Sequence, residues 1–188
     1  MKYSYDDNTK LRIVLLLDNK TNKKLIKFNK QINEEISHDI EFSVSCIPHV
    51  TLISGKLIKK SDFEKISKII NEKVRRYFND NFVFDFENVY YSDNGQWVFL
   101  GLKDNESLFN FIEDLREDLK QYMQISDARH LHVTIAKSTD LNKKADVIDN
   151  FDLPKNFTVK NVAIGLSGKN GVLLNIIEEY LENNKIIQ

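Results

Sequence analysis

The phrase His-Val-Thr followed by an aliphatic residue is written twice, in "IPHVTLISG" around His49 and in "LHVTIAKS" around His132. Both settings are rich in β-branched and aliphatic residues, and Pro48 biases Ile47 away from helical geometry, so each copy reads as a strand. Side chains alternate across a strand. His49 and Thr51 therefore share one face and Val50 and Leu52 the other, while His132 and Thr134 stand likewise against Val133 and Ile135. A fold that carries this phrase twice must supply two similar strands, each showing one imidazole and one hydroxyl to the same kind of surface.

The segments around those strands alternate in kind. "LRIVLLLD" reads as a buried strand, and "TNKKLIKFNKQINEEI" as a helix capped by Thr21. Ser61, with Glu64 three residues on, makes a capping-box pattern for a helix through "SDFEKISKIINEKVRRYF". "FVFDFENVYY" and "QWVFLGL" flank the turn signal "SDNG" as a hairpin, and "ESLFNFIEDLREDLKQYM" places Leu108, Phe111, Ile112, Leu115 and Leu119 on one helical face. Beyond the second marked strand, "LNKKADVIDNF" is a weak helix or a loop, and "FTVKNVAIGLSG" and "GVLLNIIEEYL" are strands joined at "GKNG". This order predicts a single two-lobed α+β domain over residues 1–188, built from two related halves.

Composition narrows the ligand. The formal net charge is -1 although 29% of residues are charged, so no long basic track suits an extended nucleic acid, and a small ligand or a short oligonucleotide fits better. The single cysteine, Cys46, has no partner for an internal disulfide, and the start "MKYSYDDNTK" lacks the apolar core of a secretory signal. The longest apolar run, "RIVLLL", is strand-sized and far below the roughly 20 residues of a membrane-spanning helix. These features predict a soluble cytoplasmic monomer with no membrane contact and no protein partner.

Two imidazoles and two hydroxyls around a common point suit a phosphodiester. Histidine, with an ordinary pKa of about 6.5, serves as proton acceptor or donor near neutrality, so a pair can divide deprotonation of a nucleophile from protonation of a leaving oxygen. Threonine hydroxyls can hydrogen-bond the non-bridging oxygens and stabilise charge that builds in the transition state.

The doubled H-x-[TS] phrase resembles the signature of the 2H phosphoesterase superfamily, which includes bacterial RNA 2′,3′-cyclic phosphodiesterases and viral 2′-5′-oligoadenylate phosphodiesterases. The resemblance spans most of the chain. The motifs stand 83 residues apart, a spacing similar to the family's; Gly55 follows the first and Lys137 the second, and Phe99 in "WVFLGL" stands nearest the family's aromatic position. What the resemblance implies is a bilobal fold with two antiparallel sheets lining a central groove and helices outside. It further implies His49 and His132 as the catalytic pair, with Thr51 and Thr134 as phosphate ligands. The activity implied is metal-independent cleavage of 2′,3′-cyclic phosphates or 2′-5′ linkages in short RNA or oligonucleotides, with no cofactor. The alternatives are hydrolysis of cyclic oligonucleotide defence messengers and a non-catalytic nucleotide- or RNA-binding module of the same fold.

Other residues carry lesser claims. Lys137 lies three residues beyond Thr134, on the opposite face of a regular strand, and reaches a phosphate only if the strand twists, bulges or ends there. Phe99, Trp97 and Tyr91 are the candidates for stacking a base, with Tyr90 beside them. His130 and His132 have a zinc-compatible His-x-His spacing, but no acidic or cysteine cluster accompanies them and no metal site is expected. His38 reads as a surface or capping residue, and Ser167 and Lys169 as residues of the last hairpin loop able to line the groove.

Overall fold

The computed structural model describes residues 6–35, 40–43, 46–78, 82–126, 130–137, 152–168 and 172–180. His38, Lys169 and the segment "LNKKADVIDNF" lie outside them. The elements run β1 (Lys10–Leu17), α1 (Asn19–Glu35), β2 (His49–Leu57), α2 (Phe63–Tyr77), β3 (Val83–Tyr91) and β4 (Trp97–Leu102). There follow α3 (Glu106–Leu119), β5 (Met123–Ser126), β6 (His132–Lys137), β7 (Asn156–Ser167) and β8 (Leu173–Tyr180).

All strand pairs are antiparallel, in the order β1-β2-β6-β4-β3-β7, and β7 also pairs β1, so the path closes on itself. The twelve-residue β7 permits this closure because its start, Asn156–Thr158, pairs β3 while its later part, Val159–Leu166, pairs β1. β8 hangs on β7 and β5 on β2. The two expected sheets are thus joined into one system, with a narrow seam where β2 meets β6 at the single partner pair Val50↔Val133. One core unites both arms: Leu11, Ile13, Leu15 and Leu17 of β1 bury together with Leu25, Phe28 and Ile32 of α1 and with Phe111 and Leu115 of α3.

Local chemistry moves several boundaries. Asp18, not Thr21, caps α1: its Oδ1 accepts from the N–H of Lys20 and Thr21 at 2.9 Å each, so the helix starts at Asn19. Thr21 supports the cap by donating its hydroxyl to Asp18 Oδ2. The capping box expected at Ser61 does not form, because residues Lys60–Asp62 make a 3-10 turn and α2 begins at Phe63. The carboxyl end of the long predicted third helix is shorter than its apolar stripe suggested: the chain turns after Leu119, and Met123–Ser126 adds β5 to the edge of β2. At the β3–β4 hairpin Gly95 takes φ 68°, the left-handed conformation the "SDNG" turn needs.

Candidate functional site

The seam between β2 and β6 fixes the site. With Val50 opposite Val133 in an antiparallel pair, His49 falls opposite Thr134 and Thr51 opposite His132. The four side chains occupy the corners of a square on one face, and the two histidines are its diagonal, about 7–8 Å apart between backbones. All four are half-buried, while Val50 and Val133 on the other face are fully buried.

The repetition extends past the visible phrase. Along β1 and β2 the register steps from Ile13↔Ile53 to Val14↔Thr51, leaving Leu52 as the extra residue. Along β4 and β6 it steps from Val98↔Ala136 to Phe99↔Thr134, leaving Ile135 in the same position of the second motif. Each motif therefore carries a bulge immediately after its threonine, which rotates the residue three places beyond that threonine back to the groove face. In the first half that residue is Ser54, opposite Arg12; in the second it is Lys137, opposite Trp97. The bulge that Lys137 needed in order to share a face with Thr134 is present. Asn29 of α1 ties down the second bulge, donating its buried amide to Ile135 O at 2.7 Å and to Ile40 O at 3.1 Å, while its oxygen accepts from Phe42 N.

Both histidines are held in the same way. His49 Nδ1 lies 2.8 Å from the carbonyl oxygen of Ile47, and His132 Nδ1 lies 3.0 Å from that of His130, each two residues back. A carbonyl only accepts, so Nδ1 carries the proton and Nε2 is left as the nitrogen with a free lone pair on both neutral rings. Burial, reinforced by the charges of Arg12 and His132, pushes the His49 pKa down to about 4. Burial first, then the charges of Arg12 and His130, also lower that of His132. These shifts favour two neutral imidazoles at neutral pH.

Arg12 is the residue that the sequence reading passed over. It sits in β1 with its guanidinium donating from Nη1 to Thr51 Oγ1 at 3.0 Å and from Nε to Ser167 Oγ at 2.9 Å. Desolvation lowers its pKa, and no carboxylate pairs with it among the described residues. A half-buried cation held by two hydroxyls, with N–H donors unused among the described residues, is arranged to receive an anion. Because Thr51 and Ser167 accept from the guanidinium, their own O–H groups remain available to donate into the groove. The signal in the sequence was one cation in the otherwise apolar "LRIVLLL", at a position sharing a strand face with Val14 and Leu16.

On the other side of the square stands an aromatic strip. The Phe99 ring lies 4.2 Å from the His132 ring, Trp97 is parallel to Phe99 at 6.2 Å, and Lys137 Nζ sits 5.2 Å from the Trp97 ring centre. Tyr90, opposite Phe99, joins the strip: its hydroxyl is 3.3 Å from His132 Nδ1. Gly101, opposite His132, makes this fit, since a Cβ there would come within 3.2 Å of the Tyr90 ring. Tyr91 pairs with Val98, so strand alternation sets it on the other face of β3 from Tyr90, which pairs with Phe99. An apolar wall of Phe42, Ile47 and Val172 flanks His49 and Thr134. Among the described residues no three His, Cys, Asp or Glu side chains gather as a metal site. No described helix is long and apolar enough to cross a membrane.

No protein-family model and no curated protein matches the sequence. The fold has close counterparts among solved structures. Escherichia coli LigT in its apo form superimposes with a TM-score of 0.67 at 14% identity, over 95% of this chain and 98% of that one. The same protein complexed with 3′-AMP gives 0.64 at 12% identity over 93% and 98%. The MHV ns2 PDE domain gives 0.51 at 16% identity over 93% and 100%. At such identities the likeness speaks for architecture. This α+β chain, with its eight antiparallel strands and three helices among the described residues, has the fold of the LigT-like 2H phosphoesterases.

Proposed function

We propose that the protein is a phosphodiesterase that cleaves 2′,3′-cyclic phosphates or 2′-5′ linkages in short RNA or oligonucleotides without a metal ion. The single observation that carries this reading is the pair of Nε2 atoms freed by matching Nδ1 bonds, on one face with a guanidinium that has no carboxylate partner among the described residues. The phosphate sits among Thr51, Thr134 and Arg12, with Lys137 at the rim. His49, held neutral by burial, is the general base: its Nε2 takes a proton from water, or from the ribose hydroxyl next to the phosphate. The freed oxygen bonds to phosphorus and the bond to the departing ribose oxygen breaks. His132 delivers the proton from its Nε2 to that oxygen.

The charge balance of the site supports this division. A bound phosphodiester brings a negative charge beside His132 and offsets Arg12, so the imidazolium that burial and Arg12 disfavour becomes favourable once substrate is present. The aromatic strip gives a base somewhere to stack, Phe99 and Trp97 being parallel, with the Tyr90 ring beside Phe99. LigT, the structural counterpart, has been crystallised with 3′-AMP, which is a ribose monophosphate. The test compares a nucleoside 2′,3′-cyclic phosphate, a 2′-5′ dinucleotide and a DNA dinucleotide as substrates. Turnover of the first two and inertness of the DNA, which lacks the neighbouring hydroxyl, is expected; DNA cleaved at the rate of the best ribose substrate refutes the ribose-dependent mechanism.

A further inference from the structure

Two histidines held alike by backbone carbonyls differ in one further contact. Among the described residues His49 Nδ1 meets the carbonyl of Ile47 alone, whereas His132 Nδ1 meets both the carbonyl of His130 at 3.0 Å and the Tyr90 hydroxyl at 3.3 Å. Tyr90 comes from β3, and β4 lies between β3 and β6, so its side chain has to cross a strand to reach that nitrogen. It crosses at Gly101, the partner of His132, where a Cβ would stand 3.2 Å from the Tyr90 ring. The Tyr90 and His132 rings meet edge-on, at an interplanar angle of 90°. Burial first, then the charge of Glu87, raises the Tyr90 pKa, so the phenol keeps its proton at neutral pH.

We propose that Tyr90 is a positioning residue whose hydroxyl oxygen, as a second acceptor for the Nδ1–H of His132, makes that ring rather than His49 the proton donor. The assignment rests on the phosphodiesterase reading above. A carbonyl and a hydroxyl oxygen can share one N–H in a three-centre bond. The bond strengthens when the ring takes its second proton, because hydrogen bonds from a charged donor are roughly twice as strong as neutral ones. The hydroxyl therefore favours the imidazolium over the neutral ring. The carbonyls of Ile47 and His130 act alike on the two rings, and Arg12 of β1 disfavours the charged form of both, so neither separates them. His132 also has His49 across the seam on β2, His130 just before its own strand, and Lys137 at the far end of that strand beyond Phe99 and Trp97. From β3 Glu87 acts on Tyr90, and Lys103 and Asp104, which follow β4, line the same space as Tyr90 and His130. Removing one hydroxyl leaves all of these charges in place.

The experiment uses the whole chain and Tyr90→Phe, which keeps the ring and loses the hydroxyl; thermal melting checks the fold. The substrates are a nucleoside 2′,3′-cyclic phosphate, a 2′-5′ dinucleotide and adenosine 2′-(p-nitrophenyl phosphate). On whichever of the first two the parent turns over faster, kcat near neutral pH should fall about three- to tenfold while KM stays within about twofold. The alkaline limb of the kcat profile should move to lower pH, because the donor loses its proton earlier, and parental rates should return on the acid side of that limb. Proton NMR of the free protein should show the His132 C2–H titrating at lower pH in the variant, with that of His49 changed less. The p-nitrophenyl ester, whose phenolate departs without a proton, should lose about twofold or less. An alkaline limb and a His132 titration that both stay at their parental pH overturn the role of Tyr90 and leave the phosphodiesterase reading standing. A loss on the p-nitrophenyl ester equal to that on the ribose-leaving substrate does the same. A parent that turns over none of the three substrates overturns that reading and this assignment with it.

Discussion

Replacing Arg12 by methionine separates what this residue does for function from what it does for stability. The guanidinium is taken out of water without a carboxylate partner among the described residues, and its two hydrogen bonds go to neutral hydroxyls, Thr51 and Ser167. Desolvating such a cation opposes folding, and a methionine of similar length fills the same space between β2 and β7 without that cost. The variant should therefore be at least as stable as the parent, with a melting temperature unchanged or raised by about 2–4 °C for each kcal/mol recovered in a domain of this size. Activity should move the other way. A charge-assisted hydrogen bond is worth about 1.5–3 kcal/mol, so losing the one to the phosphate should lower kcat/KM by roughly ten- to a hundredfold. The histidines provide an independent reading, because Arg12 holds both of their pKa values down. In Arg12→Met the C2–H resonances of His49 and His132 should titrate at higher pH than in the parent. Calorimetry, initial rates and proton NMR on one preparation supply the three measurements. A melting temperature that falls by more than about 5 °C, or kcat/KM within threefold of the parent, refutes the account of Arg12 as a cation held ready for an anion.

The remaining expectations concern the histidine pair, metals and pH. His49→Ala and His132→Ala should each lower kcat on the order of a hundredfold or more, and the double variant should lose little beyond the worse single one, because the two act as a unit; a double variant near parental turnover removes the assignment. Turnover should persist in excess EDTA, and loss restored by added zinc or manganese would favour a metal at His130 and His132 instead. His49 titrates at about 4 in the folded chain against about 6.5 unfolded, so the unfolded state binds the extra proton between those values. Its contribution is complete above about pH 6.5 and is lost as pH falls toward 4, at most about 3 kcal/mol and less for a ring that keeps some solvent contact. Denaturant unfolding followed across that window should show a shallower loss in His49→Gln than in the parent, and equal slopes refute the burial argument.

The square of His49, Thr51, His132 and Thr134 was legible because strand alternation alone puts each histidine and its threonine on one face, and the repetition asks for a common surface. What the chain could not show was anything decided by pairing. Whether Lys137 shares a face with Thr134 depends on Ile135 being the unpaired residue against β4, which is a property of two strands and not of one. Tyr90 and Tyr91 differ by one position, and since a one-residue slip exchanges faces, the hairpin register had to be known before either could be placed. Arg12 was hidden for another reason: β1 is buried on both faces, Val14 and Leu16 being covered by Ala163 and Leu173, so the run lacks the alternation that would have marked its groove side.

The structure also sharpens the sense in which the halves are related. The two motifs match in phrase, in the Nδ1 bond to the carbonyl two residues back, and in the bulge after the threonine. They pair across the seam about a local two-fold axis, so the square by itself has no direction. Direction comes from the flanking strands. At equivalent positions β1 supplies Arg12, Val14 and Leu16, and β4 supplies Trp97, Phe99 and Gly101. One half surrounds its histidine with a cation and aliphatic packing, and the other with rings and the space that Gly101 leaves for Tyr90. Under the proposed function, a symmetric substrate centre, the phosphate, would meet an asymmetric frame, and that frame would decide which ribose oxygen faces which imidazole. Exchanging the two histidine environments, by placing an aromatic residue at Leu16 or filling Gly101, should disturb the orientation of cleavage before it disturbs the binding of inorganic phosphate, and product analysis on a 2′-5′ dinucleotide set against phosphate affinity distinguishes the two.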